Sequence, residues 1–297
     1  MSSTEGDLAA SQSQSTSGSP IRADGLVVTN LADGNGFKMR LEVRGWPGAQ
    51  PGQFLMLGAG AEAAVPRHDP LLPRPMAVYR DSQADGRPPV EGGGQPEASL
   101  VEVLYRVAGR GTTLLSEAKP GDRVALVGPL GRGFPVEAGT APALLVGGGT
   151  GIASLYELAR ALSNAGREVS VLLGARGEAD LIGRGDFETL DAELVCTTED
   201  GSFGETGLVT RPLERRLADV GSGAAVYACG PTPMMRAAAE LAEARSVPCF
   251  VSLENPMACG FGVCLGCAAP RREGGFSLVC RQGPVFDSKE IAWEGLP

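Results

Sequence analysis

Ala143-Leu-Leu-Val-Gly-Gly-Gly-Thr-Gly-Ile-Ala-Ser-Leu-Tyr156 is the stretch that decides the fold. Four residues of buried-strand type run into a glycine-rich turn. The turn opens a segment in which Ile152, Leu155, Tyr156, Ala159 and Leu162 share one helical face, as in a helix packed on a sheet. The same alternation continues downstream. Glu168-Val-Ser-Val-Leu-Leu precedes a helix near Asp186, and Ala192-Glu-Leu-Val-Cys-Thr precedes one around Val209 to Ala218. Ala225-Val-Tyr-Ala-Cys precedes a helix over Pro233 to Arg245, and Cys249-Phe-Val-Ser-Leu follows it. Such a βαβ series builds an α/β, doubly wound parallel sheet with helices on both faces.

Upstream the period changes. Between Ile21 and Val136, short apolar runs beginning at Gly25, Phe37, Gln53, Met76, Leu100 and Arg123 are separated by Gly and Pro turns. Phe37 to Val43 and Leu100 to Val107 alternate faces, which predicts a small antiparallel β-barrel of six strands. Asp81 to Ala98 is too long and too rich in Gly and Pro for a tight hairpin. After Val247 the βαβ rhythm breaks. The expected division is a disordered tail over 1–19, a barrel over 20–138, an α/β domain over 139–246 and a small domain over 247–297.

Composition narrows the function. With 43 Gly and 22 Pro in 297 residues the chain is turn-rich, yet 43% hydrophobic residues supply a core. The net charge of −9 disfavours nucleic acid and anionic membranes as partners. No apolar run approaches the roughly 20 residues of a membrane span, and Met1 to Ser19 lacks the apolar segment of a secretory signal, so a cytoplasmic protein is expected. Seven Cys is odd, and four crowd between Cys259 and Cys280, which points to a metal rather than a disulfide framework.

Those four are the sharpest chemical signal. Cys259, Cys264 and Cys267 have the spacing Cys-x4-Cys-x2-Cys, and Cys280 follows at a distance, as in plant-type [2Fe-2S] centres. Gly260, Gly262 and Gly266 suit a loop that needs positive φ and amide N–H groups aimed at sulfur. The alternative, structural zinc, usually shows two Cys-x2-Cys pairs or Cys with His; here there is one such pair, and the sole His, His68, is remote. Cys196 and Cys249 read as core residues.

Gly147, Gly148, Gly149, Thr150 and Gly151 join a strand to a helix, where a dinucleotide pyrophosphate can approach unpaired N–H groups. The spacing is not the regular G-x-G-x-x-G, and an ordinary tight turn is the alternative. Cys229, Gly230 and Pro231 end another strand and open a helix with Thr232 as N-cap. Ligands of such sheets bind outside the carboxyl ends of the strands, so both turns can face one crevice; the alternative for the second is a well-made helix start with Cys229 as a small buried thiol. In the barrel, Arg74-Pro75-Met76-Ala77, Tyr105-Arg106-Val107 and Gly109-Arg-Gly111-Thr112 offer Arg that can clamp a pyrophosphate and a helix start that can present N–H groups; taken alone they read equally as surface basic residues and turns. With one His and no spaced carboxylates, no catalytic side chain is assigned.

The order of these parts, with Gly128-Pro-Leu-Gly-Arg-Gly-Phe-Pro135 and Ser252-Leu-Glu-Asn-Pro-Met-Ala-Cys259, resembles the ferredoxin-reductase superfamily. Within it, the chain is similar to the electron-transfer subunits of NAD-dependent dihydroorotate dehydrogenases from Ile21 onward. The resemblance implies NADH at the Gly147–Gly151 turn and at Cys229, Gly230 and Pro231, giving hydride to FAD. It implies FAD held by Arg74, Pro75, Met76, Ala77, Leu104, Tyr105, Arg106, Gly111 and Thr112. Ala77 stands where this family commonly has Ser, so that hydroxyl is missing. Electrons would pass singly through a [2Fe-2S] cluster on Cys259, Cys264, Cys267 and Cys280. Their destination would be FMN in a separate catalytic subunit, two of each forming a heterotetramer in pyrimidine biosynthesis. Two other readings are a reductase of the NADP(H)-ferredoxin or sulfide dehydrogenase type, and a zinc-stabilised nucleotide-binding module. Arg176 and Glu178, after the second strand of the series, leave NADH against NADPH open.

Overall fold

A computed structural model describes residues 18–58, 70–85, 98–136, 141–220 and 223–297. Residues 1–17 of the expected tail, His68 and most of the Asp81 to Ala98 loop lie outside the described residues.

The first sheet comprises β1 (Ile21–Asp33), β2 (Gly36–Arg44), β3 (Phe54–Leu57), β4 (Arg74–Ala77), β5 (Arg80–Asp81), β6 (Ala98–Arg106) and β7 (Arg123–Leu130), with α1 (Arg110–Ser116) after β6. Its order is β4-β3-β7-β1-β2-β6-β5, and all pairings are antiparallel. The alternation of β2 points Met39, Leu41 and Val43 inward, where they meet Trp46, Leu55, Val101, Val103 and Leu126. The sheet has seven strands rather than the expected six. The extra one, β5, is two residues long and too short to show a period. It closes the barrel: Val78 N–H still donates to Gln53 O on the β3 side (3.0 Å), whereas Tyr79 N–H donates to Glu102 O of β6 (2.8 Å).

The second sheet comprises β8 (Ala143–Gly148), β9 (Val169–Ala175), β10 (Glu193–Thr198), β11 (Glu205–Thr206), β12 (Ala225–Cys229), β13 (Cys249–Ser252) and β16 (Val285–Asp287). Its order is β11-β10-β9-β8-β12-β13-β16, parallel except for the antiparallel edge strand β16. The sheet thus takes in part of the stretch 247–297. The rest of that stretch carries the Cys loop and a hairpin of β14 (Ala268–Pro270) and β15 (Phe276–Leu278).

The helices are α2 (Tyr156–Asn164), α3 (Arg184–Phe187), α4 (Thr210–Val220) and α5 (Thr232–Glu243). Leu155, Tyr156, Ala159 and Leu162 of the first helical segment, with Phe187, fill the core on one face of the sheet. Leu213, Leu217, Met235 and Ala238 of α4 and α5 fill the other. The helix expected from Ile152 begins instead as a 3-10 turn over Gly149–Ser154, with α2 proper at Tyr156.

Polar contacts join the two halves. Lys38 on β2 pairs with Asp186 (2.8 Å), Arg106 with Asp180 (2.8 Å), and Asp81 N–H donates to Glu157 of α2 (2.8 Å). The buried Asp81 carboxylate accepts Trp46 Nε1–H (2.7 Å) and Ala49 N–H (2.8 Å). Asp81→Ala is expected to cost on the order of 3 kcal/mol in denaturant unfolding, because it strands those two buried donors. Glu157→Gln, which retains an acceptor for Asp81 N–H, should cost less.

Candidate functional site

The chain order reverses between β8 and β12, and the turns after these two strands lie against each other. A Cβ added at Gly151 would sit 2.4 Å from the Cys229 carbonyl carbon and oxygen and 2.5 Å from Gly230 N. Gly230 has φ +153°, and a Cβ there would sit 2.8 Å from Gly148 O. Only glycine allows this backbone-to-backbone approach. The expected juxtaposition of Gly147–Gly151 with Cys229–Pro231 is therefore present, at a switch point suited to a dinucleotide. Cys229 is fully buried, and its Sγ–H donates to Ser252 O (3.4 Å). Burial, with the nearby Glu254 charge, pushes its thiol up to about 12, so it is no thiolate nucleophile.

Beside this turn pair a cleft of about 690 Å³ opens between the barrel and the α/β sheet. Arg74, Pro75, Met76 and Ala77 of β4, Leu104, Tyr105 and Arg106 of β6, and Thr112 of α1 line its barrel side. Thr150, Ala153, Ser154, Ser252, Glu254 and Asn255 line the other side. Gly111 lies beneath the cleft wall: a Cβ there would meet Arg74 Nε at 2.5 Å, so its bareness lets the guanidinium pack on α1. Gly147, Gly148, Gly149, Gly151 and Cys229 to Pro231 form the adjoining crevice and do not line the cleft itself. Tyr105 stacks on Phe37 (5.6 Å between ring centroids) and donates its hydroxyl to Asn30 (2.9 Å); burial pushes the phenol up to about 12. Arg106 is engaged by Asp180, so it braces the two halves as well as lining the cleft. A largely apolar cleft of this size with a few converging polar groups fits a flavin.

Ser154, Ser252, Glu254 and Asn255 were not singled out as site residues from the sequence. The rule that ligands gather at carboxyl ends of strands, applied to β13 as it was to β8 and β12, would have pointed to Ser252 to Asn255.

The residues from Leu253 to Met257 line the cleft and lead directly into the Cys loop. A Cβ at Gly260 would meet Met56 Cγ of β3 at 2.5 Å, so the loop rests on the barrel. Cys267 and Cys280 are buried with sulfurs 3.2 Å apart; Cys259 is half-buried and Cys264 exposed. Burial works against the Cys259 thiolate, but N–H groups of Cys264, Phe261 and Val263 directed at its sulfur outweigh it and lower the thiol to about 6. Burial, reinforced by Cys267, pushes Cys280 up to about 12. Gly260 and Gly262 have the expected positive φ, +83° and +88°, but Gly266 does not; Leu265 takes the left-handed conformation instead, at +59°. Among the described residues, no three Cys, His or carboxylate side chains already converge at metal-binding distance. The donor set, four thiols with amide N–H groups aimed at sulfur, nonetheless suits an iron–sulfur cluster.

Residues 254–292, which span all four Cys, match the family model described as the iron-sulfur cluster binding domain of dihydroorotate dehydrogenase B. Residues 145–240 match the oxidoreductase NAD-binding domain. The dihydroorotate dehydrogenase B (NAD(+)) electron transfer subunit of Desulforamulus reducens is 37% identical over 249 residues, covering 83% of this chain and 88% of the relative. That of Geobacillus kaustophilus is 39% identical, with 82% and 86% covered. The chain belongs to the dihydroorotate dehydrogenase B electron-transfer subunits. The fold of this family member is shared with a solved NADH-dependent reduced ferredoxin-NADP oxidoreductase (TM-score 0.75, 30% identity, 92% of this chain and 91% of that one). The ferredoxin reductase in carbazole 1,9a-dioxygenase shares the fold at a TM-score of 0.61 and 20% identity, with 77% and 67% covered.

Proposed function

We propose that this electron-transfer subunit moves electrons between NAD(H) and a separate catalytic subunit by way of FAD and a [2Fe-2S] cluster. The observation that carries the reading is continuity. One cleft is flanked by the paired dinucleotide turns and runs, within the five residues after Glu254, into Cys259. When bound, a flavin exchanges hydride with nicotinamide and single electrons with an iron–sulfur cluster, so it joins a two-electron carrier to a one-electron carrier.

The chain's own residues bind and orient. Arg74 and the backbone of Gly111 and Thr112 are assigned to the FAD phosphates, and Pro75, Met76, Ala77, Leu104 and Tyr105 to its ring system. Ala77 offers no hydroxyl to the ring. Gly147–Gly151 and Cys229–Pro231 hold the dinucleotide, while the Arg106–Asp180 and Lys38–Asp186 pairs fix the two halves so that the cleft keeps its width. Cys259, Cys264, Cys267 and Cys280 are assigned as cluster ligands, and the N–H groups at Cys259 stabilise its thiolate. The relatives' names give NAD(+) as acceptor, so in the dehydrogenase direction electrons arrive from the partner and leave on NAD+.

The partner is proposed to be an FMN-containing dihydroorotate dehydrogenase, two of each subunit forming a heterotetramer in the cytoplasm for pyrimidine biosynthesis. Seven free thiols suit a reducing compartment. Among the described residues no helix is long and apolar enough to cross a membrane. Beside the Cys loop, Phe261, Val263, Leu265 and Phe276 are 55–74% exposed, an apolar surface of the kind that partners cover. Co-purified with the partner, the complex should reduce NAD+ with dihydroorotate, and neither subunit alone should. Phe276→Asp should weaken association about tenfold or more by analytical ultracentrifugation. A complex that instead reduces ferredoxin, and not NAD+ with dihydroorotate, would favour the ferredoxin-linked reading that the 30% identical structure supports.

A further inference from the structure

The loop over residues 178–183 follows β9 and leads into α3. In a sheet of this kind the pyrophosphate sits at the first βα turn, here after β8, and the adenosine ribose lies toward the end of the next strand, here β9. One flank of the loop is fixed within its own domain. Glu178 N–H donates to Ser202 Oγ (2.8 Å), and Asp200 N–H donates to Arg176 O (3.1 Å). The other flank is fixed by the barrel. Asn35, in the turn between β1 and β2, donates its N–H to Ala179 O (2.7 Å) and its Nδ2–H to Asp180 Oδ1 (2.9 Å). Asp33 Oδ2 accepts Gly183 N–H (2.9 Å). Gly34 has φ +54°, and a Cβ there would collide with Ala179 O, so only a bare residue lets the turn lie on the loop. A Cβ at Gly183 would sit 2.6 Å from Leu104 Cδ1, so the far end of the loop presses on the cleft wall itself.

These contacts set the ribose end of the dinucleotide crevice against the barrel, and not only against its own sheet. A dinucleotide reaching from the end of β9 to a flavin on the barrel spans two domains, so its fit depends on how the loop is placed between them. We infer that the β1–β2 turn, Asp33 to Asn35, is a positioning element for the dinucleotide, holding the 178–183 loop in its binding-ready place. The turn itself lines no part of the cleft. Asp180 completes the link, because its Oδ1 accepts both Asn35 and, at 2.8 Å, Arg106 of the cleft wall. Ordering the loop in advance lowers the cost of binding and leaves the chemistry at the flavin unaltered. This assignment rests on the reading of Gly147–Gly151 and Cys229–Pro231 as the dinucleotide site.

The test is the kinetics of the FAD-loaded, cluster-loaded complex with its partner. In the double variant Asp33→Ala, Asn35→Ala the KM for NADH should rise about tenfold while kcat holds, the pattern of binding lost equally from ground and transition states. Inhibition by ADP-ribose, which carries the adenosine half alone, should weaken by the same factor. Flavin reduction from the partner side by dihydroorotate needs no dinucleotide and should keep its rate. Asp33→Asn, which retains an oxygen for Gly183 N–H, should stay close to the unaltered protein. Gly34→Ala, whose methyl group pushes the loop off the turn, should show the same split between KM and kcat. An unchanged KM in the double variant, or equal slowing from the NADH and partner sides, overturns the assignment while the dinucleotide reading stands. An unaltered complex that neither oxidises NADH nor responds to ADP-ribose overturns the reading and the assignment together.

Discussion

Replacing Cys264 with serine is expected to abolish electron delivery to the partner subunit while NADH-to-dye activity through FAD persists. Cys264 is the exposed member of the four thiols, so its loss leaves no cavity in a packed core. A free serine hydroxyl does not ionise near neutrality, and its hard oxygen is a far poorer ligand for an iron–sulfur centre than a soft thiolate. Changes in the outer shell of a metal site already cost roughly 10–100-fold in affinity or activity, and loss of a direct ligand should take partner-linked transfer to background. The cleft assigned to the flavin is lined by none of the four Cys, so hydride exchange there should survive. Visible and electron paramagnetic resonance spectra would follow the cluster, and stopped-flow absorbance would follow the flavin. Full partner reduction by the variant would remove Cys264 from the ligand set.

Gly151→Ala is expected to disable the dinucleotide side. The new methyl group would lie 2.4 Å from the Cys229 carbonyl, and both partners in this clash are backbone. Overpacking of that kind costs about 1–3 kcal/mol, which for a chain of this size lowers Tm by several degrees. Relief by displacement moves the Cys229–Gly230 turn away from the Gly148 carbonyl. NADH-dependent flavin reduction should fall at least about tenfold, mainly through KM. Gly149→Ala separates strain from collision: Gly149 has φ +56° with open space around its missing Cβ. That variant should lose about 1–2 kcal/mol of stability, from left-handed backbone strain, with a smaller effect on KM. Equal effects on NADH in the two variants would count against the close approach of the turns as the cause.

Much of this fold is legible in the sequence, because period and burial are the same fact seen twice. The alternation of Phe37 to Val43 becomes the inward face of β2, and Ile152, Leu155, Tyr156, Ala159 and Leu162 are each at most 1% exposed. β5 is not legible, since two residues carry no period; Tyr79 and Arg80 reach β6 only because the barrel must close. The 3-10 start of α2 is hidden as well, because the glycine turn must press on the Cys229 turn more than 70 residues away. At the Cys loop, spacing proposes the ligands and two of the positive-φ glycines, but between Cys264 and Cys267 the left-handed residue is Leu265 and not Gly266.

The sequence alone determined the parts: a barrel, a βαβ sheet, two glycine turns and four spaced Cys. Each rests on local periodicity, on backbone freedom or on ligand spacing along the chain. The tertiary structure alone decided their relations. It set Glu254 in the cleft, gave Arg106 to Asp180 and placed the cleft against the Cys loop. These depend on which surfaces pack together, and packing is fixed by the sum of contacts between segments far apart in the chain.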